Sequence, residues 1–454
     1  MIIKENFLDT IVDCVGFDRQ AFVEAHANPP AVSIRINPAK VVHPSLVLDD
    51  TNLLNEVPWC SQAFVLKQRP SFTLDPLFHA GAYYVQEASS MFLQHVVNEV
   101  FKEGSGNKAL DLCAAPGGKT TLMAAMQQFG LIVSNEIIQS RVSVLQENVI
   151  KWGDKKVFVS NNDPGDFKRL PDYFDFVLVD APCSGSGLFR KDEKAMEEWN
   201  PNLVDFCASR QKRILHAAMD AVADGGYLFY STCSFSKEEN EDNLDFIMAS
   251  GLFESVDVTI NATWGIVKSQ SDKHHATGFR FYPDKLCGEG FFCAVLKKVG
   301  CSSNNSVLLP APFPSVQASP NLLEWLKEKD GLIFYKKGEE LYAIDKFYAQ
   351  DVALLSKELK FRKSGLRLGE LIRDEFVPNH ELAMSTEQSE QSCRIELDLD
   401  QALRYLRRET LDAGSGQKGW SLVHYKGISM GWVKLVQGKA KNHYPLNWRI
   451  LMRG

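Results

Sequence analysis

Five short apolar runs limit what this chain can fold into. They are Lys108–Cys113 (KALDLC), Leu131–Glu136, Lys156–Asn161, Phe174–Asp180 (FDFVLVD) and Gly226–Ser231. Helix-like patterns separate them, at Thr120–Phe129, Ser140–Trp152 and Asn202–Val222. Buried strands alternating with amphipathic helices predict a doubly wound, mostly parallel α/β sheet over residues 101–300. Sheets of this kind bind ligands at the carboxyl ends of their strands.

The flanks read differently. Residues 1–100 have helical patterning near 5–26 and a proline-rich middle, which predicts an α+β domain that contacts RNA. Residues 301–320 (CSSNNSVLLPAPFPSVQASP) predict a linker. An intermediate C-terminal domain over 321–390 and a β-rich domain over 391–454 are expected beyond it, with a polar, patternless boundary near 378–394. The chain has 454 residues, 45% hydrophobic and 24% charged, which excludes a disordered or collagen-like protein. There is no apolar run of ~18 residues and no signal-peptide pattern at the N-terminus. A cytoplasmic chain with reduced cysteines and no membrane contact is expected. The ten cysteines form no C-x-x-C pair, and His274-His275 reads as a solvated loop pair, so no metal is expected.

A net charge of −7 argues against a nucleic-acid partner, but the average hides an asymmetry. Residues 413–454 carry seven Lys/Arg and no Asp or Glu, interleaved with Trp420, Tyr425, Trp432, His443, Tyr444 and Trp448. Such a module suits a phosphate backbone and stacked bases, and equally a small β domain with a solvated basic face. Lys191, Lys194, Arg210, Lys212 and Arg213 leave the same two readings open, an RNA groove or a solvated helix face.

Asp111-Leu-Cys-Ala-Ala-Pro-Gly-Gly-Lys-Thr120 ends the first strand and opens a helix. A Walker A loop needs glycine where Cys113 stands, and a dinucleotide fingerprint needs G-x-G-x-x-G after the strand; both fail. What remains is the strand–glycine-turn–helix that holds the methionine part of S-adenosylmethionine. Glu136, 18 residues past Gly118, ends the second strand where an acid accepts ribose hydroxyls. Asp163 is placed for an adenine amino group, with neighbouring Asn162 as the alternative.

Two cysteines lie on loops at the same sheet edge. Asp180-Ala-Pro-Cys-Ser-Gly185 ends the fourth strand and Ser231-Thr-Cys-Ser234 the fifth. The C5 carbon of cytosine is a poor nucleophile. Thiol addition at C6 makes it an enamine able to attack a sulfonium methyl group, after which the C5 proton leaves and the sulfur is expelled. Asp180 suits the N3 edge of the base. The chemistry alone does not choose between Cys183 and Cys233.

DLCAAPGGKT, NE, DAPCSGSG and STCS, in this order, resemble the NOL1/NOP2/Sun family of RNA cytosine-C5 methyltransferases. Tyr84–Met91 resembles the family's lead-in segment; Gly278–Pro283 and Gly290–Phe292 resemble its final hairpin. Residues 401–454, with Gly431–Lys434 and Tyr444–Arg449, resemble the PUA-like tail of its bacterial small-subunit ribosomal-RNA methyltransferase F branch. The resemblance implies a Rossmann-like class I methyltransferase domain with a C-terminal PUA-like domain. It implies Cys233 as nucleophile and Cys183 in product release. It also implies cofactor contacts from Cys113, Ala114, Ala115, Pro116, Gly117, Gly118, Lys119, Glu136, Arg141, Asp163 and Asp180. The expectation is an S-adenosylmethionine-dependent enzyme making 5-methylcytosine in 16S ribosomal RNA or the assembled small subunit, as a monomer. DNA is excluded because no large target-recognition insertion is present. A transfer-RNA methyltransferase and a non-catalytic RNA-binding assembly factor are the alternatives. Phosphate contacts in the tail predict binding that weakens with salt.

Overall fold

The computed structural model describes residues 3–48, 51–300, 313–373, 375–389, 392–412 and 418–452. At its centre, five parallel strands follow the spatial order Val157–Ser160, Phe129–Asn135, Asn107–Asp111, Phe174–Asp180 and Val222–Thr232. The strand order reverses between Asn107–Asp111 and Phe174–Asp180. A ligand crevice opens at such a switch point, and Asp111 and Asp180 end the two strands that flank it. Phe291–Lys298, Thr277–Phe281 and Val267–Gln270 extend the sheet antiparallel beyond Val222–Thr232. Helix Pro201–Ala221 starts where proline and an asparagine cap specify it: Asn200 Oδ1 accepts from Leu203 N at 3.0 Å.

Several local expectations change. The helix expected over Thr120–Phe129 spans Gly118–Ala124, and Phe129 already begins the next strand. Its ring is buried against Phe176 in the sheet core, a tertiary contact that overrides local helical pattern. The pattern near 5–26 is two helices, Glu5–Thr10 and Arg19–His26. Their Phe7 and Phe22 pack with Phe189, Trp199, Phe235 and Tyr282, seating the N-terminus behind both cysteine loops. The patternless 378–394 stretch contains the helix His380–Met384, whose Leu382, Ala383 and Met384 are buried. The linker expected at 301–320 falls mostly outside the described residues; Pro320–Leu323 begins a helix.

The N-terminal sheet orders Leu53–Glu56, Ala63–Leu66, Val32–Ile36 and Tyr83–Val85. Strand Phe361–Lys363, far along the chain, joins the central sheet at Val157–Ser160. Two further sheets follow in the C-terminal part; the last contains Gly419–Tyr425 and Ile428–Val436. That last sheet packs on the N-terminal one, with Ile34, Leu77 and Tyr83 in one cluster with Tyr405, Val433 and Tyr444. Tyr444 is therefore a core residue, and Trp432 is buried in a neighbouring cluster with Phe376 and Leu382, so of the two readings left open these aromatics follow the β-domain one; Arg453 lies outside the described residues. Among the described residues no helix is long and apolar enough to cross a membrane.

Candidate active site

The glycine turn follows directly from its residues. Gly117 adopts φ +110°, a conformation that side chains resist, and a Cβ there would sit tightly, 3.2 Å from Leu145 Cδ1. The turn presents the N-terminus of helix Gly118–Ala124 to the crevice. Arg141 braces it, donating from Nη2 to Ala115 O at 2.7 Å while Nη1 lies 3.3 Å from Glu136 Oε2. Glu136 is aimed by Ile138 N, which donates to its Oε1 at 2.8 Å. The Pro116 carbonyl accepts from Asn148 Nδ2 (2.8 Å) and Tyr84 OH (3.3 Å), and Ala114 N donates to Asn135 O.

Below the turn, Asp111 is fully buried. Its Oδ2 accepts from Thr120 Oγ1 at 2.6 Å, and its Oδ1 has no hydrogen-bond partner. Burial raises its pKa to about 7, against the lowering effect of the Thr120 bond. The Lys119 ammonium turns away from the turn to Asp180, with Nζ 2.8 Å from Oδ2. Burial depresses Lys119, but Asp180 more than offsets this and raises its pKa. Ser231 Oγ donates to Asp180 Oδ1 at 2.7 Å, so the carboxylate is held from both sides.

The two cysteine loops meet. Cys183 Sγ and Cys233 Sγ are 2.9 Å apart, and both are free thiols. Glycine again permits the approach: Gly187 N donates to Cys233 O at 2.7 Å, and a Cβ on Gly187 would lie 2.3 Å from Gly290 O. The Cys183 thiol is held well above its usual range by its hydrogen bond to Cys233 and by burial, with the charge of Glu239 adding to both.

Cys113, Ala115, Glu136, Arg141, Asp180, Cys183 and Cys233 line one cleft of about 260 Å³, with Arg210 and Arg213 on its rim. Asp163 lies outside this lining. Its Oδ1 caps Gly165 N at 2.8 Å, and Oδ2 is 3.9 Å from Arg213 Nη1. Asn162 points elsewhere: it is buried, donates to Asp166 and accepts from Lys360 N. Among the described residues no cluster of His, Cys, Asp and Glu fits a metal ion. S-adenosylmethionine matches the donor set. Glu136 suits ribose hydroxyls and the glycine turn a carboxylate, while Asp111, its carboxyl raised by burial, lies beneath the turn and outside the cleft lining.

Sequence reasoning missed three residues that organise this site. Asp111 was read only as a strand end. Arg35 sits in a strand where a charged residue suggests a solvent face, yet it is buried. Glu239 lies in the charged run KEENED, which gives no sign that it is wholly enclosed.

Comparison with known proteins covers nearly the whole chain. The family model for 16S rRNA methyltransferase RsmB/F matches residues 99–297. The N-terminal domain of 16S rRNA methyltransferase RsmF matches 3–88, and the methyltransferase RsmF PUA domain 393–450. Ribosomal RNA small subunit methyltransferase F from Shewanella piezotolerans is 31% identical over 97% of this chain and 96% of its own. The protein of the same name from Vibrio parahaemolyticus is 31% identical over 98% and 97%. Among solved structures, a methyltransferase homolog from Pyrococcus horikoshii superposes with TM-score 0.55 at 28% identity, over 65% of this chain and 95% of that one. NSun6 from the same organism, solved with SFG, shares the fold with TM-score 0.55 at 21% identity, over 66% and 99%.

Proposed function

This chain belongs to the ribosomal RNA small subunit methyltransferase F family, and from that premise we propose that it makes 5-methylcytosine in 16S ribosomal RNA through a covalent cysteine adduct. It is an S-adenosylmethionine-dependent RNA methyltransferase. The observation that carries the mechanistic reading is the 2.9 Å contact between Cys183 and Cys233 on the wall of the cleft that also holds Glu136 and Asp180.

Bound S-adenosylmethionine supplies a methyl group on a positively charged sulfur. Cys233, as thiolate, adds to C6 of a cytosine extruded from its stack, and electron density moves to C5. Asp180, fixed by Lys119 and Ser231, faces the N3 edge and stabilises its protonated form as the adduct grows. C5 takes the methyl group and then gives its proton to water, the C–H electrons re-forming the C5–C6 double bond and expelling the Cys233 sulfur. Cys183, beside the adduct sulfur, serves release as the C6–S bond breaks and the Cys233 thiolate returns. Cys113, Ala114, Ala115, Pro116, Gly117, Gly118 and Lys119 form the turn beneath the cofactor's methionine part. Glu136 and Arg141 hold its ribose side, and Asp163 its adenine.

RNA reaches the site along a groove of about 990 Å³ between the N-terminal sheet and the catalytic domain, lined by Lys67, Arg69, Arg190 and Lys191. Leu188, on the cleft, and Lys191, on the groove, belong to one segment of the chain. Domains over 1–100, 101–300, 321–390 and 391–454 divide the work, the first and last holding RNA backbone. The chain acts as a cytoplasmic monomer on RNA rather than duplex DNA.

The test uses methyl-labelled S-adenosylmethionine with ribosomal RNA, assembled small subunits, bulk transfer RNA and duplex DNA. Label recovered as 5-methylcytosine from ribosomal RNA or the subunit is expected. Label confined to transfer RNA overturns the substrate, and no label despite cofactor binding favours an assembly factor.

A further inference from the structure

One carboxylate sits behind both cysteine loops. Glu239 has no exposed surface. Its Oε1 accepts from Ser184 N at 2.8 Å and Gln211 Nε2 at 3.0 Å. Its Oε2 accepts from Ser184 Oγ and from Ser234 Oγ, each at 2.5 Å. Ser184 follows Cys183 in the chain and Ser234 follows Cys233, and their hydroxyls are 3.3 Å apart. The same carboxylate therefore grips the residue next to each thiol.

The grip is itself anchored. Tyr230 OH donates to Glu239 O at 2.5 Å, and Asn240 clasps the strand end by accepting from Thr232 Oγ1 (2.6 Å) and donating to Ser234 O (2.8 Å). Gln211 reaches from helix Pro201–Ala221, where its Nε2 also donates to Pro182 O at 3.1 Å. Among the described residues no Lys or Arg forms an ion pair with Glu239. Four N–H and O–H donors compensate the buried charge, an arrangement that fixes geometry tightly because each lost bond leaves a buried group unsatisfied.

We propose that Glu239 is a positioning residue of the methyl transfer, holding Cys183 and Cys233 in register. This rests on the reading that these two thiols do the chemistry. The sulfur contact is too weak to set a distance alone. The loops are also tied by Gly187 N to Cys233 O and by Phe235 N to Ser186 Oγ, and Glu239 adds the side chain that bonds the neighbour of each thiol at once. The electrostatics point the same way. The hydrogen bond to Cys233 and burial disfavour ionisation of Cys183, and the Glu239 charge behind the loops adds to both. Burial raises Glu239 itself while its donors lower it.

Glu239→Gln and Glu239→Ala separate shape from charge in the full-length protein. The glutamine oxygen can still accept from Ser184 N and Gln211, while its amide meets two hydroxyls that are free to rotate and accept. Alanine removes the grip. Three readouts apply: single-turnover methyl transfer with KM for RNA, cofactor affinity by calorimetry, and the rate at which diamide oxidises Cys183 and Cys233 to a disulfide, mapped by mass spectrometry. That oxidation converts two thiols to one disulfide while diamide takes up both hydrogens, and it reports thiol proximity without any need for activity.

Glu239→Ala is expected to slow methyl transfer about 100-fold, the effect of misplacing a reacting group by about 1 Å. KM and cofactor affinity should stay within about threefold, with disulfide formation slowed alongside transfer. Glu239→Gln is expected to restore most of both rates and to shift alkylation of Cys183 by iodoacetamide to lower pH. A folded Glu239→Ala protein with wild-type transfer and oxidation rates overturns the proposal. If alanine prevents folding, Ser184→Ala/Ser234→Ala, which leaves the carboxylate but removes two donors, must slow oxidation, and wild-type oxidation there also overturns it. Full activity of a Cys233→Ala protein would instead sink the underlying mechanism, whatever Glu239 does.

Discussion

Arg35 donates from Nη2 to Thr121 Oγ1 at 2.7 Å, tying the N-terminal sheet to the helix that carries the glycine turn. The same nitrogen reaches Gly118 O at 3.2 Å, Nε reaches Gln86 Oε1 at 3.0 Å, and the guanidinium lies 4.5 Å from the Trp152 ring centre. These acceptors are neutral, and burial lowers the pKa to about 10. Arg35 thus positions the glycine turn from another part of the chain. Arg35→Met is expected to lower stability by about 1–3 kcal/mol, because buried acceptors lose their donor. It should also weaken S-adenosylmethionine binding. Urea unfolding and calorimetry check both; lowered stability with unchanged cofactor affinity would confine Arg35 to packing between the two regions.

The thiol pair gives two opposite outcomes. Cys233→Ala should abolish methyl transfer with RNA affinity retained, since the attacking sulfur is gone. Cys183→Ala should accumulate a protein–RNA adduct that survives denaturation and runs as a shifted band, because the adduct sulfur at 2.9 Å has lost its neighbour. Adduct accumulating in the Cys233 variant instead would exchange the two roles.

These sites differ in how legible they were. The parallel strands were readable because buried strands are continuous apolar runs, and the glycine turn because Gly117 needs a conformation that side chains resist. The cysteines were readable as a pair because both motifs end neighbouring strands, and the fold brings their sulfurs to 2.9 Å. Phe129 was misread because its place depends on Phe176, 47 positions away in sequence, and not on its helical neighbours. Phe361–Lys363 joining the central sheet left no local trace for the same reason. Trp432 and Tyr444 left two readings open because aromatic–basic alternation cannot distinguish a face that meets RNA from a buried one; Tyr444 packs with the N-terminal sheet and Trp432 with Phe376 and Leu382. Glu239 and Arg35 were invisible because a charged residue reads as exposed unless its partners are known.

The groove beside the site should behave as a phosphate track. Lys67 and Arg69 are exposed on its wall. Replacing both by Glu should weaken RNA binding, and the slope of log affinity against log salt should fall by about 1.5, at ~0.7–0.9 per lost phosphate contact. Cofactor affinity should not move. Filter binding at several salt concentrations measures this, and an unchanged slope would put the RNA elsewhere.

Asp111 sets a pH dependence whose sign follows from its burial. Its carboxyl has an unperturbed value of 3.8, and in the fold burial raises it to about 7. The native state therefore holds this proton between those limits while the unfolded chain releases it. The associated stability is complete below about pH 4 and is lost as pH rises through about 7, at a rate of up to about 1.4 kcal/mol per pH unit. Asp111→Asn keeps a polar partner for Thr120 and cannot ionise. Comparing the two proteins isolates this group from Glu289 and Lys40, whose values burial also brings to about 7. Urea unfolding of both, without cofactor, from pH 5 to 8.5 should show the wild type losing stability relative to the variant as pH rises. Parallel curves would mean that Asp111 is already ionised throughout, and that its unpartnered oxygen is satisfied by something other than a proton.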